Sequence, residues 1–172
     1  MYSLNVNNND IYFKNVQLNE LTEIYKWYNN IKEYGFATGV ENPVSFQDIL
    51  KEYYKVLSSP EEFFISLYNI SNEMVGVIKG NFIEEKKIVW IKVFIIKTGF
   101  QKKGYGKKAV GLLKDYFIKK NKAKSIYLTV HKGNSGAYAF WKKQGFEEVE
   151  NIKKYFNLKE KNFRLLRFNL KR

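Results

Sequence analysis

The sequence predicts a single mixed α/β domain of the α+β kind, with elements in the order β-α-α-β-β-β-α-β-α-β-β over residues 1–172. Three observations carry this prediction. Residues 87–96 (KIVWIKVFII) place apolar groups on both faces of a period of two, as a central strand covered on both sides requires. Residues 63–70 and 74–83 are strand-like and are joined by Ser71-Asn72-Glu73, a connection of hairpin length. Pro43 and Pro60 are the only prolines, and each falls between elements.

The elements follow in order. Residues 11–16 (IYFKNV) form a short strand. Asn19 caps a helix over 20–34, where Leu21, Ile24, Tyr25 and Tyr28 recur at helical spacing. Residues 35–43 are a loop, and Ser45 caps a second helix over 46–57 with Asp48 in its first turn, where an acid suits the helix dipole. After the three strands, residues 104–121 are helical, with Val110, Leu113, Phe117 and Ile118 on one stripe. Residues 125–130 (SIYLTV) are a buried strand and 134–144 a helix closed by Gly145. Two last strands lie near 147–156 and 163–170.

Composition excludes several functions. The chain has no cysteine and one histidine, so neither disulfides nor a thiolate or histidine metal cluster is available. The polar start lacks a signal pattern, and no apolar run approaches the roughly 18 residues a membrane span needs. A cytoplasmic protein that engages no membrane is the expectation. The net charge of +13 is unevenly spread: residues 1–86 balance to −5 and residues 87–172 to +18. A field of that sign suits a nucleic acid or a phosphate-rich cofactor, and compositional drift toward lysine explains it equally well.

The stretch that carries chemistry runs from Phe94-Ile95-Ile96 through Gln101-Lys102-Lys103-Gly104-Tyr105-Gly106-Lys107. A strand passes through a short loop into a helix, and the first N–H groups of a helix have no internal partners and sit at its positive end. Glycine lets a phosphate approach that backbone, and Lys102, Lys103, Lys107 and Lys108 add charge around it. A Gly-x-Gly alone is weak, since a tight connection with solvated lysines has the same form. The nucleotide P-loop fails on spacing. The dinucleotide fingerprint would place Ala109 at its third glycine and opens a parallel sheet, whereas this turn follows four strands.

Here the sequence resembles the GCN5-related N-acetyltransferases, whose signature Gln/Arg-x-x-Gly-x-Gly/Ala is matched by Gln101 to Gly106. A second family element, Asn-x-x-Ala followed by an aromatic and Gly-Phe, is matched by Asn134, Ala137, Phe140, Trp141, Gly145 and Phe146. The resemblance implies a mostly antiparallel central sheet flanked by helices, with two central strands splayed around acetyl-coenzyme A. It implies that Phe94, Ile95 and Ile96 pair with the pantetheine arm. The pyrophosphate would lie on Gln101, Lys102, Lys103, Gly104, Tyr105, Gly106 and Lys107, with Asn134, Ala137, Phe140, Trp141 and Lys143 on the far side.

The resemblance departs at the catalytic positions. Trp141 stands where many relatives carry a tyrosine that protonates the leaving thiolate, and Thr129 where some carry a glutamate base. Indole N–H is no useful acid. The remaining candidates are His131, the one side chain that ordinarily titrates near neutrality, and Tyr138, one helical turn before Trp141. Each has a plainer reading, His131 as a surface or packing residue and Tyr138 as a packing aromatic. Trp27, Tyr28, Glu33 and Tyr34, with Phe36 and Glu41, lie in the region that covers the acceptor pocket in the family. Trp27-Tyr28-Asn29 is similar to the branch acting on ribosomal-protein N-termini.

The expected function is N-acetyl transfer from acetyl-CoA to a primary amine: a peptide or protein N-terminus, a polyamine or an aminoglycoside-like small molecule. The chain is expected to act as a monomer or homodimer. An acyl-CoA-binding module or sensor without turnover is the alternative. A nucleic-acid partner ranks third, because the lysines form no groove-reading or base-stacking motif.

Overall fold

A computed structural model of the chain describes residues 1–120, 123–149 and 162–170. These carry strands β1 (Val6–Asn7), β2 (Ile11–Asn15), β3 (Glu62–Asn69), β4 (Met74–Ile83), β5 (Ile88–Ile96), β6 (Ser125–His131), β7 (Glu147–Glu148) and β8 (Phe163–Asn169). The helices are α1 (Leu21–Asn29), α2 (Ile31–Thr38), α3 (Phe46–Ser58), α4 (Tyr105–Lys119) and α5 (Ser135–Lys143). The strands form one sheet in the order β1-β2-β3-β4-β5-β6-β8-β7. Every neighbouring pair is antiparallel except β5 and β6, which run parallel. This is the mixed, mostly antiparallel sheet with flanking helices that the sequence implies. No described helix is long and apolar enough to cross a membrane.

The helical entry differs from the sequence expectation. A 3-10 turn over Leu18–Glu20 precedes α1, and its cap is Gln17 rather than Asn19: the Glu20 carboxylate accepts from the Gln17 N–H at 2.5 Å. The single helix expected over 20–34 is two. Asn30 leaves the helical region at φ −85°, ψ 69°. Next to it the Asn29 amide donates to Val44 O and accepts from Val44 N (3.2 and 3.0 Å), tying the end of α1 to the segment before α3. The chain then re-forms α2 through much of the expected loop, and Gly39, at φ +71°, ends it with an N–H bond to Gly35 O. Ser45 caps α3 as expected: its Oγ accepts from Asp48 N, and the Asp48 carboxylate accepts from Ser45 N.

At the C-terminal end the strand expected near 147–156 appears as Glu147–Glu148, and residues 150–156 lie outside the described residues. The two-residue β1 at the sheet edge has no counterpart in the sequence reading.

Helices cover both faces of the sheet. Val110, Leu113 and Phe117 of α4 pack with Phe63, Ile65, Val89, Ile91 and Leu128 on one face. Ile24 and Trp27 of α1 and Tyr53 and Val56 of α3 pack with Phe64, Val77, Val93 and Ile95 on the other. Within β5, therefore, Val89 and Ile91 face one core and Val93 and Ile95 the other, contrary to an unbroken period of two. A β-bulge is the cause. Ile91 pairs with Gly80 and Val93 with Lys79, which leaves Lys92 as the extra residue and reverses the facing beyond it.

Candidate active site

The parallel ladder between β5 and β6 runs from Ile88↔Ser125 to Ile91↔Leu128 and stops. Both strands continue. β5 stays paired with β4 to Ile96, and β6 stays paired with β8 to His131. The two strands therefore part at the Lys92 bulge, and the edge of β5 from 92 to 96 that faces β6 has no strand partner among the described residues. A cavity of about 240 Å³ fills the fork; Phe94, Leu128, Thr129, His131, Asn134 and Trp141 are among its walls, and Phe36 and Thr38 of α2 close one mouth.

Beyond β5, a 3-10 turn over Thr98–Phe100 and a tight turn lead into α4. Lys102 and Gly104 both take the left-handed conformation, at φ +59° and +87°. Gly104 is the cap residue of α4 and supplies no side-chain cap, and the backbone bond that returns to Gly104 O comes from Lys108. The N–H groups of Tyr105, Gly106 and Lys107 thus stand at the open, positive end of the helix. A Cβ on Gly106 would lie 3.2 Å from the Phe140 ring, so glycine permits the close approach of α4 to α5 there.

The charged groups divide by use. Lys102, Lys103 and Lys107 are exposed around the turn. Lys108 is engaged elsewhere, its Nζ 2.8 Å from Asp10 Oδ1. The Gln101 amide donates to Ile96 O at 2.9 Å and to Glu33 Oε1 at 3.4 Å, so it braces the turn against β5 and α2. Across the fork, Asn134 caps α5 by accepting from Ala137 N at 3.0 Å. Phe140 stacks on Phe94 with centroids 5.9 Å apart, Trp141 tilts against Phe94 at 5.1 Å, and Lys143 is exposed at the end of α5.

Residues 21–146 match the acetyltransferase (GNAT) family. The chain belongs to the GNAT family. As a member it is an acyl-CoA-dependent N-acetyltransferase, with acetyl-CoA as donor. Among its relatives is the probable N-acetyltransferase san of Drosophila melanogaster, 28% identical over 130 residues that cover 74% of this chain and 68% of that protein. The spermidine N-acetyltransferase of Vibrio cholerae, solved with CoA and spermine, superposes with a TM-score of 0.80 at 17% identity, covering 95% of this chain and 97% of that one. Apo FdhC, a nucleotide-linked sugar GNAT, superposes with a TM-score of 0.74 at 16% identity, covering 97% and 90%. Identities this low establish a shared fold.

The GNAT donor fits the residues present. A strand edge without a described partner offers backbone groups to an amide-bearing arm, and a helix start on glycine with three exposed lysines suits a pyrophosphate.

The candidate acid–base groups of this GNAT chain are not equivalent. His131 lines the fork, stacked against Phe36 at 4.8 Å and edge-on to Phe163 at 5.4 Å. Its Nδ1 accepts from Gly133 N at 3.0 Å, so in the neutral ring Nε2 carries the proton. Tyr138 is half-buried with its ring packed against the core and covered by Arg164 at 4.5 Å, and its hydroxyl donates to Glu148 at 3.2 Å. Trp141 and Thr129 both line the fork.

The acceptor candidates also separate. Trp27 and Tyr34 are 4% and 5% exposed and belong to the core beneath α1 and α2. The Tyr34 hydroxyl accepts from Thr98 N at 2.9 Å and lies 2.7 Å from Thr98 Oγ1, which fastens α2 to the end of β5. Tyr28 lines a separate cavity of about 170 Å³ between α1 and α3; burial, and then the charge of Glu52, push its phenol above the usual range. Glu33 and Glu41 are exposed. Lys92 also lines the fork and escaped the sequence reading. Its signal was the single charge between Ile88 and Ile96, the one interruption of that apolar run.

Proposed function

We propose that the chain, as one domain over residues 1–172 acting in the cytoplasm, transfers the acetyl group of acetyl-CoA to a primary amine held at the Phe36–His131 mouth of the fork. The observation that carries the proposal is the parting of β5 and β6 at Ile91/Leu128, directly upstream of an α4 that starts on Gly104. Acetyl-CoA supplies the thioester carbonyl that the amine attacks.

The protein's own contribution is placement. The edge of β5 at Phe94, Ile95 and Ile96 holds the pantetheine amides in register, and the amides and lysines of Lys102 to Lys107 hold the pyrophosphate. Asn134 shapes the start of α5, and Ala137, Phe140, Trp141 and Lys143 flank the donor from that helix. Fixing both reactants in one cleft supplies most of the acceleration this chemistry needs, and acid–base assistance adds about 10²–10⁴-fold where it is present. His131 carries no proton transfer: its bond from Gly133 leaves the neutral ring a hydrogen-bond donor through Nε2, able to steady negative charge at the reacting carbonyl or sulfur, while the proton of the attacking amine leaves to solvent and the departing thiolate takes one up. No corresponding role falls to Tyr138, whose hydroxyl is committed to Glu148.

The test joins binding to turnover. Calorimetry should detect acetyl-CoA binding, and thiol release should follow with one or more members of a panel of peptide, polyamine and amino-sugar acceptors. Gly106→Leu, which drives a side chain into Phe140, should weaken acetyl-CoA binding by roughly tenfold or more while the thermal unfolding transition persists. Binding without thiol release from any acceptor would make the chain an acyl-CoA sensor; absence of binding at millimolar acetyl-CoA would end the proposal.

A further inference from the structure

We infer that the acceptor is a primary amine carrying a flat apolar group, an aromatic ring above all, close to the reacting nitrogen, and that Phe36 selects it. The inference deepens the acetyl-transfer reading and rests on it. Of the large apolar side chains that stand exposed among the described residues, Phe36, at 59%, is the one that lines the fork. A single exposed apolar residue is ordinary on a protein surface. One held in place on the wall of a cavity offers a ligand something to lie against.

Phe36 is held by one face of its ring. That face lies 21° from parallel to the His131 imidazole with centroids 4.8 Å apart, and His131 in turn meets the Phe163 ring edge-on at 5.4 Å. Gly133, whose N–H fixes the imidazole through Nδ1, lies at the edge of the Phe36 ring, and a Cβ there would come within 3.6 Å of it. The exposure of Phe36 therefore belongs to the opposite face, which is left open. Flat groups stack with centroids about 4.5–7 Å apart. A planar apolar group on an incoming amine can thus extend the series Phe163, His131, Phe36 by one member.

Charge gives the fork no competing basis for selection. Among the described residues that line it there is no Asp or Glu. The Lys92 ammonium is bonded to Glu62 of β3 at 3.2 Å, so its charge is matched away from the cavity. Phe94, Leu128, Val130 and Trp141 make much of the remaining wall apolar. A polyamine would bring several ammonium groups to a wall without a carboxylate to meet them, and its methylene chain has no plane to lay on Phe36. An apolar surrounding also favours the neutral amine over the ammonium, and the neutral amine is the nucleophile.

The experiment compares matched acceptors by thiol release from acetyl-CoA: phenethylamine against butylamine, phenylalaninamide against alaninamide, and spermidine by itself. The aromatic member of at least one pair should show a kcat/KM roughly fivefold or more above its partner and above spermidine. Which pair responds tells a simple amine from a peptide-like one. Phe36→Ala should remove most of that ratio, and Phe36→Trp, which keeps a flat ring, should retain it. The side chain is exposed, so both variants should fold, and comparing ratios cancels amine nucleophilicity and any general loss of activity. Smaller ratios in both pairs, spermidine as the preferred acceptor, or a ratio unmoved by Phe36→Ala overturns the inference and leaves acetyl transfer standing. No release from any amine overturns both.

Discussion

Tyr34 does its work through one oxygen. Its ring lies in the core under α2, while its hydroxyl accepts the Thr98 N–H and pairs with the Thr98 hydroxyl at the start of the turn into α4. Tyr34→Phe keeps the ring and deletes the oxygen, so the N–H of exposed Thr98 loses its acceptor in a part-buried bond. That costs about 0.5–1.5 kcal/mol. Urea denaturation should register this loss, and acetyl-CoA affinity should fall with it, because Thr98 stands where the donor-binding turn begins. A loss under about 0.5 kcal/mol, within the range of an ordinary surface substitution, would mean that water takes the hydroxyl's place. The sequence marks Tyr34 only as an aromatic near the acceptor region. Its bond is to a residue 64 positions away, and no local pattern encodes that.

The strand, turn and helix that hold the donor are the element whose function the sequence exposes most directly, because its chemistry is local: two glycines, a helix start and several lysines within seven residues. The lysines divide once they are placed. Lys102, Lys103 and Lys107 stand exposed at the turn, Lys103 over the Phe100 ring, and Lys108 bonds Asp10. Replacing the three exposed lysines together by Gln should lower acetyl-CoA affinity by roughly tenfold or more and flatten its dependence on salt. Lys108→Gln should leave that affinity within about twofold. Calorimetry at two ionic strengths separates these outcomes, and equal losses from both variants would deny the turn its electrostatic role. The neighbouring features were far less legible. The break at Asn30 depends on Asn29 reaching Val44, and the bulge at Lys92 depends on the register between β4 and β5. Neither is a property of one segment, so an alternating run such as Val89, Ile91, Val93 and Ile95 reads as one face when it serves two cores.

Across the whole molecule, helices on both faces bury the sheet, and a lysine in β4 has to be accommodated inside one of those layers. The Lys79 side chain is 7% exposed and pairs with Glu52 of α3, whose side chain is 39% exposed. The two partners are therefore unequal. Glu52→Gln leaves a buried ammonium without its bonded carboxylate, with only the more distant charge of Glu62 and the face of the Phe64 ring beside it, at a cost of about 3 kcal/mol. Lys79→Met leaves a carboxylate that water can still reach, and should cost about 1 kcal/mol or less. The pH dependence follows from the same pair. Burial raises the Glu52 carboxyl, but the bond and charge of Lys79 outweigh it and hold the group below its usual 4.5. Its contribution is thus complete above that value and is lost as the pH falls through the lower native one. Burial draws the Lys79 ammonium below its usual 10.5, so its own titration costs stability as the pH falls from 10.5 through the lowered native value and adds no further slope below that. Urea denaturation from pH 7 down to about 3 should show the wild-type protein descending toward Glu52→Gln, with the variant flatter over that range. If Lys79→Met instead proves as unstable as Glu52→Gln at pH 7, the cost lies in the broken pair itself rather than in the stranded ammonium.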